Sequence, residues 1–119
     1  MKRTYQTSKD LPESEVVKVL KELKLGYLNL SDGMFEQAKM NFLLALQFDS
    51  KCSDAYWGLM LVKFQITNED ELFANPVTYK SAIYLPECEN ALQFADETQK
   101  KIYDGLLERI YKINEGDNY

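Results

Sequence analysis

Apolar side chains in the first third of the chain recur at the spacing of an α-helix. From residue 16 onward they step by four, three, four and three residues, which puts them on one helical face. These positions are Val16, Leu20, Leu23, Tyr27 and Leu30. Leu25 and Leu28 lie on another face, which is typical of a helix that has neighbours on two sides. Asp10 and Pro12 predict the start of this helix, and Gly33 predicts its end.

Two further helices are predicted between residues 34 and 66. The second runs from Met34 to Phe48, and its inner stripe combines aromatic and small side chains at steps of three and four. The stripe consists of Phe35, Ala38, Phe42 and Ala45. The third runs from Asp54 to Ile66 with Ser53 as its cap, and it is apolar nearly all round. We therefore expect it to be the most buried element.

The C-terminal half combines an irregular segment with one long helix. Over residues 67–85 the sequence predicts a short helical turn near Leu72 and an extended or hairpin-like piece at Val77–Tyr84. Pro86 then starts a helix whose amphipathic stripe continues to Ile113. This helix is long enough to cover the end of a helical stack.

The length and composition fit one domain. The chain has 119 residues, of which 45% are hydrophobic, and this is enough to bury a core. We expect residues 1–9 and 114–119 to be flexible and residues 10–113 to form the domain. No stretch approaches the ~18 consecutive apolar residues that a membrane span needs. The polar residues 1–10 lack the apolar centre of a secretion signal, so the cytoplasm is the simplest compartment.

The composition also limits the chemistry. The chain has no histidine, which removes the commonest general base and metal ligand, so we expect no catalysis, no metal and no cofactor. Cys52 and Cys88 are expected to be two small reduced side chains. Lys18, Lys21 and Lys24 form a small basic ridge, but the chain carries a net charge of −5. The sequence therefore does not predict nucleic-acid binding.

One set of residues in the first two helices has the spacing of a helical repeat. The set consists of Leu25, Gly26, Gly33, Phe35, Ala38, Phe42, Ala45 and Asp49. It resembles the tetratricopeptide repeat (TPR), a 34-residue helix–turn–helix unit, with residues 19–52 as the first repeat. Glu22, Asn29 and Ser50 depart from the family pattern, which prefers Trp, Tyr and Pro at these places.

The resemblance implies an all-α fold of TPR-like antiparallel helical hairpins, stacked as a short right-handed solenoid. A second repeat would begin at residue 53 and be interrupted by an insertion at 67–85, and the long helix 86–113 would cap the stack. The family binds peptides or helices in a concave groove that the first helix of each repeat lines. The resemblance therefore implies partner-binding residues at Leu23, Tyr27, Leu30, Trp57, Leu61 and Phe64.

We thus expect a protein–protein interaction module that binds a protein or peptide in an apolar and aromatic groove. Tyr27, Trp57 and Phe64 are the first candidates for partner contact because aromatic side chains dominate many interfaces. Two alternatives stay open. In the first alternative, the chain's own helix 86–113 or a second copy fills the groove. In the second, the chain is a self-associating scaffold (a homodimer) or an accessory domain of a larger bacterial assembly.

Overall fold

The chain folds into helices joined by short connections. The computed structural model describes residues 3–75 and 79–116, and over these ranges it contains six α-helices, one short 3-10 helix and no strand. The elements are α1 (Glu13–Ser31), α2 (Phe35–Phe48), α3 (Ser53–Lys63), α4 (Asp70–Ala74), the 3-10 helix (Lys80–Tyr84), α5 (Pro86–Phe94) and α6 (Glu97–Gly116). The all-α prediction is confirmed for these residues. None of their helices is both long and apolar enough to cross a membrane.

The connection between α1 and α2 follows from glycine chemistry. Gly33 has a φ of 75°, a conformation that costs little free energy for a residue without a Cβ. Its N–H donates to Leu30 O at 3.0 Å, and the N–H of Met34 donates to Asn29 O at 2.9 Å. This pair of bonds ends α1 in a Schellman motif. The turn is short, so α1 and α2 pack against each other as antiparallel neighbours.

A single aromatic ring fixes how closely α1, α2 and α3 approach. The ring of Phe42 on α2 lies between Gly26 of α1 and Gly58 of α3. A Cβ built on Gly26 would lie 2.6 Å from this ring, and one built on Gly58 would lie 2.4 Å from it. Ala38 and Ala45 are fully buried on the same face of α2. Small side chains around one large ring thus bring the three helices into a common core.

Two predicted helix caps are wrong. In the described part of the chain, α1 and α3 begin without a side-chain cap. α1 begins at Glu13, after Pro12 in an extended conformation, and Asp10 lies in a turn before it. The hydroxyl of Ser53 instead donates to Ala91 O of α5 at 2.6 Å. The Ser53 hydroxyl therefore forms a contact between two helices and does not cap its own helix.

The predicted single helix 86–113 is also wrong. Ala95 has a ψ of 144°, which ends α5, and the N–H of Gln99 donates to Asp96 Oδ1 at 2.8 Å at the start of α6. This N-cap bond stabilises a second helix after the break. α6 continues to Gly116, so the predicted tail at 114–119 begins inside a helix.

In the irregular segment 67–85 the structure describes two short helices, α4 and the 3-10 helix. α4 contains Leu72, so the predicted short helical turn is confirmed. The predicted extended piece is wrong over Lys80–Tyr84, which forms the 3-10 helix. Val77 and Thr78 lie outside the described residues. Leu72 is fully buried, and it anchors this segment in the core.

Candidate functional site

Most of the residues predicted to bind a partner are covered by other parts of the same chain. Five of them, Leu23, Tyr27, Leu30, Trp57 and Leu61, are buried. The sixth, Phe64, is half-buried and meets the ring of Tyr79 edge-on, with the centroids 5.0 Å apart. From one side, Tyr103 of α6 stacks on Trp57 at a centroid distance of 4.1 Å. From the other side, the chain's N-terminal segment covers Tyr27.

That N-terminal segment, residues 3–8, is non-helical, and we call it the strap. Its side chains bind α1 and the segment before α4. The guanidinium of Arg3 lies 4.0 Å from the centroid of the Tyr27 ring and forms an ion pair with Glu69 at 2.7 Å. The ring of Tyr5 stacks on the same Tyr27 at 5.5 Å. The strap lies in the sequence that was predicted to be flexible, and the structure gives it defined partners.

Two buried carboxylates hold the backbone of the strap. The N–H of Gln6 donates to Asp54 Oδ2 at 2.8 Å. The N–H of Ser8 donates to Asp49 Oδ2 at 2.8 Å, and the Ser8 hydroxyl donates to Asp49 Oδ1. Hydrogen bonds to ionised acceptors are roughly twice as strong as neutral ones. The surface under the strap, which consists of Tyr27, Asp49, Asp54 and Glu69 and which we call the groove, therefore binds main-chain atoms as well as side chains.

Asp54 connects the strap to the rest of the fold. Its Oδ1 accepts hydrogen bonds from Gln99 Nε2 at 2.9 Å and from the hydroxyl of Tyr103, both on α6. The hydroxyl of Tyr27 donates to the backbone oxygen of Asp54 at 2.6 Å. Burial raises the pKa of the Asp54 carboxyl, and the donated bonds from Tyr103 and Gln6 offset part of that rise. These bonds make Asp54 a central acceptor shared by α3, α6 and the strap.

The groove has the chemistry of recognition. Its polar groups are hydrogen-bond acceptors and its apolar groups are aromatic, which suits a guanidinium, an aromatic ring and backbone N–H groups. Cys52 lies below the strap, with its Sγ 3.9 Å from Gln6 O, and burial raises the pKa of its thiol to about 12. A thiol with this pKa is protonated and a poor nucleophile at neutral pH. Within residues 3–75 and 79–116, no three potential metal ligands cluster.

The residues that hold the strap in place were not predicted from the sequence. Arg3 and Tyr5 lie in a stretch that had no helical or strand pattern, and Asp49 was matched only as part of a repeat. One signal was present: Asp54 is a charged residue directly before the apolar run at 55–62. A carboxylate that enters a core needs hydrogen-bond donors, which points to a polar segment packed over it.

A second surface feature consists of exposed apolar side chains on α1 and α2, and we call it the outer face. It carries large apolar side chains that are exposed to solvent, among them Val17 and Leu28 of α1 and Met40 of α2. Met40 is 65% exposed. The sequence predicted neighbours on two sides of α1, but Leu25 and Leu28 on its second face are 38% and 56% exposed.

Comparison of this chain with known proteins does not identify a relative. Searches against protein-family models, curated proteins and solved structures find no match to this chain. The fold and the groove described above are therefore the basis for any functional assignment.

Proposed function

We propose that this chain is a TPR-like protein–protein interaction module, built as a short helical solenoid, that binds an extended polypeptide without catalysing a reaction. One observation carries the proposal. The groove already holds a non-helical polypeptide, the strap, through an arginine, a tyrosine and two backbone N–H groups. A surface that accommodates one extended segment in this way has the chemistry to accommodate another.

The helical packing supports the TPR-like assignment. Consecutive hairpins of such repeats cannot bury their apolar faces alone and must stack. Phe42 of the first hairpin lies against Gly26 and Gly58, so it joins that hairpin to α3. α5 then packs against α3, where the Ser53 hydroxyl bonds to Ala91 O. We propose that α3 and α5 take the place of a second hairpin, with residues 64–85 inserted between them.

The predicted partner-binding residues take defined roles in this proposal. Tyr27 offers its ring to a cation and to a second aromatic ring. Trp57 donates from Nε1 to Glu69 Oε2 at 3.4 Å and so helps to orient the carboxylate that receives Arg3. Leu23, Leu30 and Leu61 are buried in the core, and Phe64 is half-buried against Tyr79. Partner contact is thus expected through Tyr27, Glu69, Asp54 and Asp49.

The test selects peptides on the full chain with its strap weakened. The double variant Arg3→Ala, Tyr5→Ala removes the two side-chain anchors of the strap and leaves the groove intact. A library of displayed peptides is selected on this variant, and we expect a common sequence pattern to be enriched. A matched control, Tyr84→Ala with Lys100→Ala, removes an aromatic ring and a cation from exposed positions elsewhere and should enrich no pattern. A correctly folded variant that enriches no pattern would refute the proposal.

A second candidate function is self-association through the outer face. Exposed apolar patches mark interaction surfaces more often than chance allows. In this case the chain would be a homodimeric scaffold or part of a larger assembly. Light scattering over a range of concentrations tests it. A tight dimer that Met40→Glu converts to a monomer would favour this function, and a monomer at all concentrations would exclude it.

A further inference from the structure

We propose that the strap is an internal ligand that closes the groove, and that the partner is an extended segment carrying an arginine two residues before an aromatic side chain. This inference rests on the proposed function, and it adds both the sequence class of the partner and the regulation of the site. Binding would then require the partner to displace residues 3–8 of the same chain.

The partner class follows from the spacing of the anchors. Arg3 and Tyr5 are two residues apart, and side chains at this spacing project to the same side of an extended chain. Both contact Tyr27, one through its guanidinium and one through its ring. Glu69 selects the cation by an ion pair, and Asp54 accepts from the residue that follows the tyrosine. A competing segment needs the same cation, the same ring and a free backbone N–H after it.

The burial pattern indicates that the strap can leave without dismantling the helices. Every strap residue is half-buried or exposed, whereas the core residues Leu23, Trp57 and Leu61 are fully buried. The strap is joined to α1 through an exposed turn at Lys9 and Asp10. Segments with few buried apolar contacts open at a lower free energy than the core does.

Because the strap is tethered to the groove, a free peptide must compete with a high local concentration of the strap. A ligand joined by a short linker has an effective concentration in the millimolar range. A free peptide with the strap's own sequence, used at micromolar concentration, therefore competes poorly against the intact strap. Weakening the strap's anchors should remove this disadvantage and make the groove available to the free peptide.

The two cysteines provide an internal reporter of strap opening. Cys52 lies under the strap, and Cys88 lies on α5; both are fully buried. Burial raises the pKa of the Cys52 thiol to about 12 and that of the Cys88 thiol to about 11, so both thiols are protonated in the folded chain. A difference in their reaction rates therefore reports which region opens. If the strap opens by itself, Cys52 is exposed and Cys88 is not.

The first measurement uses the unmodified full chain. It is incubated with iodoacetamide under native conditions, and the modification of each cysteine is followed by peptide mass spectrometry. We expect Cys52 to react faster than Cys88 by about tenfold or more, because local opening is more frequent than global unfolding. Equal rates would show that the strap opens only when the whole chain unfolds, and this would overturn the proposal.

The second measurement tests the partner class in trans. A fluorescein-labelled peptide of residues 3–10 is titrated with the Arg3→Ala, Tyr5→Ala variant, whose folding is checked by circular dichroism. We expect binding to this variant and affinity lower by about tenfold or more for the unmodified chain. The Tyr84→Ala, Lys100→Ala control should behave like the unmodified chain. A peptide in which the arginine and the tyrosine are alanine should not bind.

The outcomes separate this inference from the proposed function. If the folded strap variant does not bind the peptide, or binds the alanine peptide equally, the inference fails. The function still stands in that case if the displayed library enriches an unrelated pattern. A dimer of the unmodified chain that dissociates in the strap variant would place the strap on a second copy and would overturn closure within one chain.

Discussion

Asp54 is a carboxylate that lies in the protein interior and is only 2% exposed. Its two oxygens accept from the N–H of Gln6, the amide of Gln99 and the hydroxyl of Tyr103. A buried charge is tolerated when its hydrogen-bonding capacity is used, and here three donors from two separate segments use it. The side chain therefore orders the strap and α6 around α3.

Replacing Asp54 by asparagine should destabilise the fold. In the original chain each carboxylate oxygen of Asp54 accepts at least one hydrogen bond, so the Nδ2 of an asparagine would face a donor. A buried unsatisfied donor costs about 1–3 kcal/mol. Urea unfolding at pH 7, followed by circular dichroism, measures the loss. Asp96→Asn is the matched control at an exposed N-cap, where we expect a smaller loss because asparagine also caps helices well. An Asp54→Asn chain as stable as the original would contradict the role of this acceptor.

The same residue predicts a pH dependence. Burial raises the pKa of Asp54 in the folded chain above the ordinary 3.8, so the folded chain binds more protons than the unfolded chain between these two values. The contribution of Asp54 to the free energy of unfolding therefore increases as the pH falls through that window. Measured from pH 7 to pH 4, the original chain should gain stability relative to Asp54→Asn. A relative loss on acidification would be the opposite of this prediction.

Gln65 carries backbone strain at the end of α3. Its φ is 54°, in the left-handed region, and its N–H donates to Val62 O while that of Ile66 donates to Leu61 O. This is the same Schellman geometry that Gly33 provides after α1. Gln65→Gly should therefore raise the free energy of unfolding by about 1 kcal/mol. Gly33→Ala should lower the free energy of unfolding by a similar amount. Urea unfolding measures both variants. A Gln65→Gly chain that is less stable than the original would be inconsistent with strain at residue 65.

At the scale of the helices, the contact between Phe42 and two glycines sets the distances between α1, α2 and α3. Gly58→Ala places a Cβ 2.4 Å from the Phe42 ring, so the ring or a helix must move. Overpacking of this kind costs about 1–3 kcal/mol. Gly105→Ala on α6 is the matched control: its Cβ has nothing from the described residues within 4 Å, and alanine favours a helix over glycine by about 1 kcal/mol.

Thermal unfolding of the two alanine variants checks this prediction. The melting temperature of Gly58→Ala should fall, and that of Gly105→Ala should rise. If both melting temperatures rose, the effect would come from helix propensity alone, and the packing of the Phe42 ring against Gly58 would have no energetic role.

Helix positions were largely predictable, and helix ends were not. The apolar spacing located α1, α2 and α3 because each of these helices buries one stripe or more of its own side chains. The break at Ala95 was missed because the apolar period continues through it. It depends on the Asp96 cap and on how α5 and α6 separately pack against α3, which local spacing does not encode.

At the scale of the whole molecule, one continuous core runs from Val19 on α1 to Ile110 on α6. Trp57 is the single tryptophan of the chain, and it lies within this core, stacked on Tyr103 of α6. Its fluorescence therefore reports the docking of α6, whereas circular dichroism reports all helices. We expect the two signals to give the same urea midpoint, because a shared core favours two-state unfolding. A fluorescence transition at lower urea would show that α6 undocks first.

The candidate site was predictable in part. The apolar spacing and the TPR-like pattern pointed to Tyr27, which contacts the strap, and to Trp57, which bonds to Glu69, because both belong to regular helices. They did not locate the strap, since an extended polar segment has no period that distinguishes an ordered conformation from a flexible one. Whether partners bind the groove, as the TPR-like pattern implies, stays a prediction for the experiments above.

The sequence by itself determined α1, α2 and α3, the turn at Gly33 and the set of side chains available for the core, because neighbouring residues control backbone preference and periodicity. Only the tertiary structure decided what covers the groove. The contact of Arg3 with Glu69 joins residues 66 positions apart, and that of Asp54 with Tyr103 joins residues 49 positions apart. Such contacts form only when the packed helices bring acceptors and donors together, since the cost of closing long loops must be offset by burial across the whole chain.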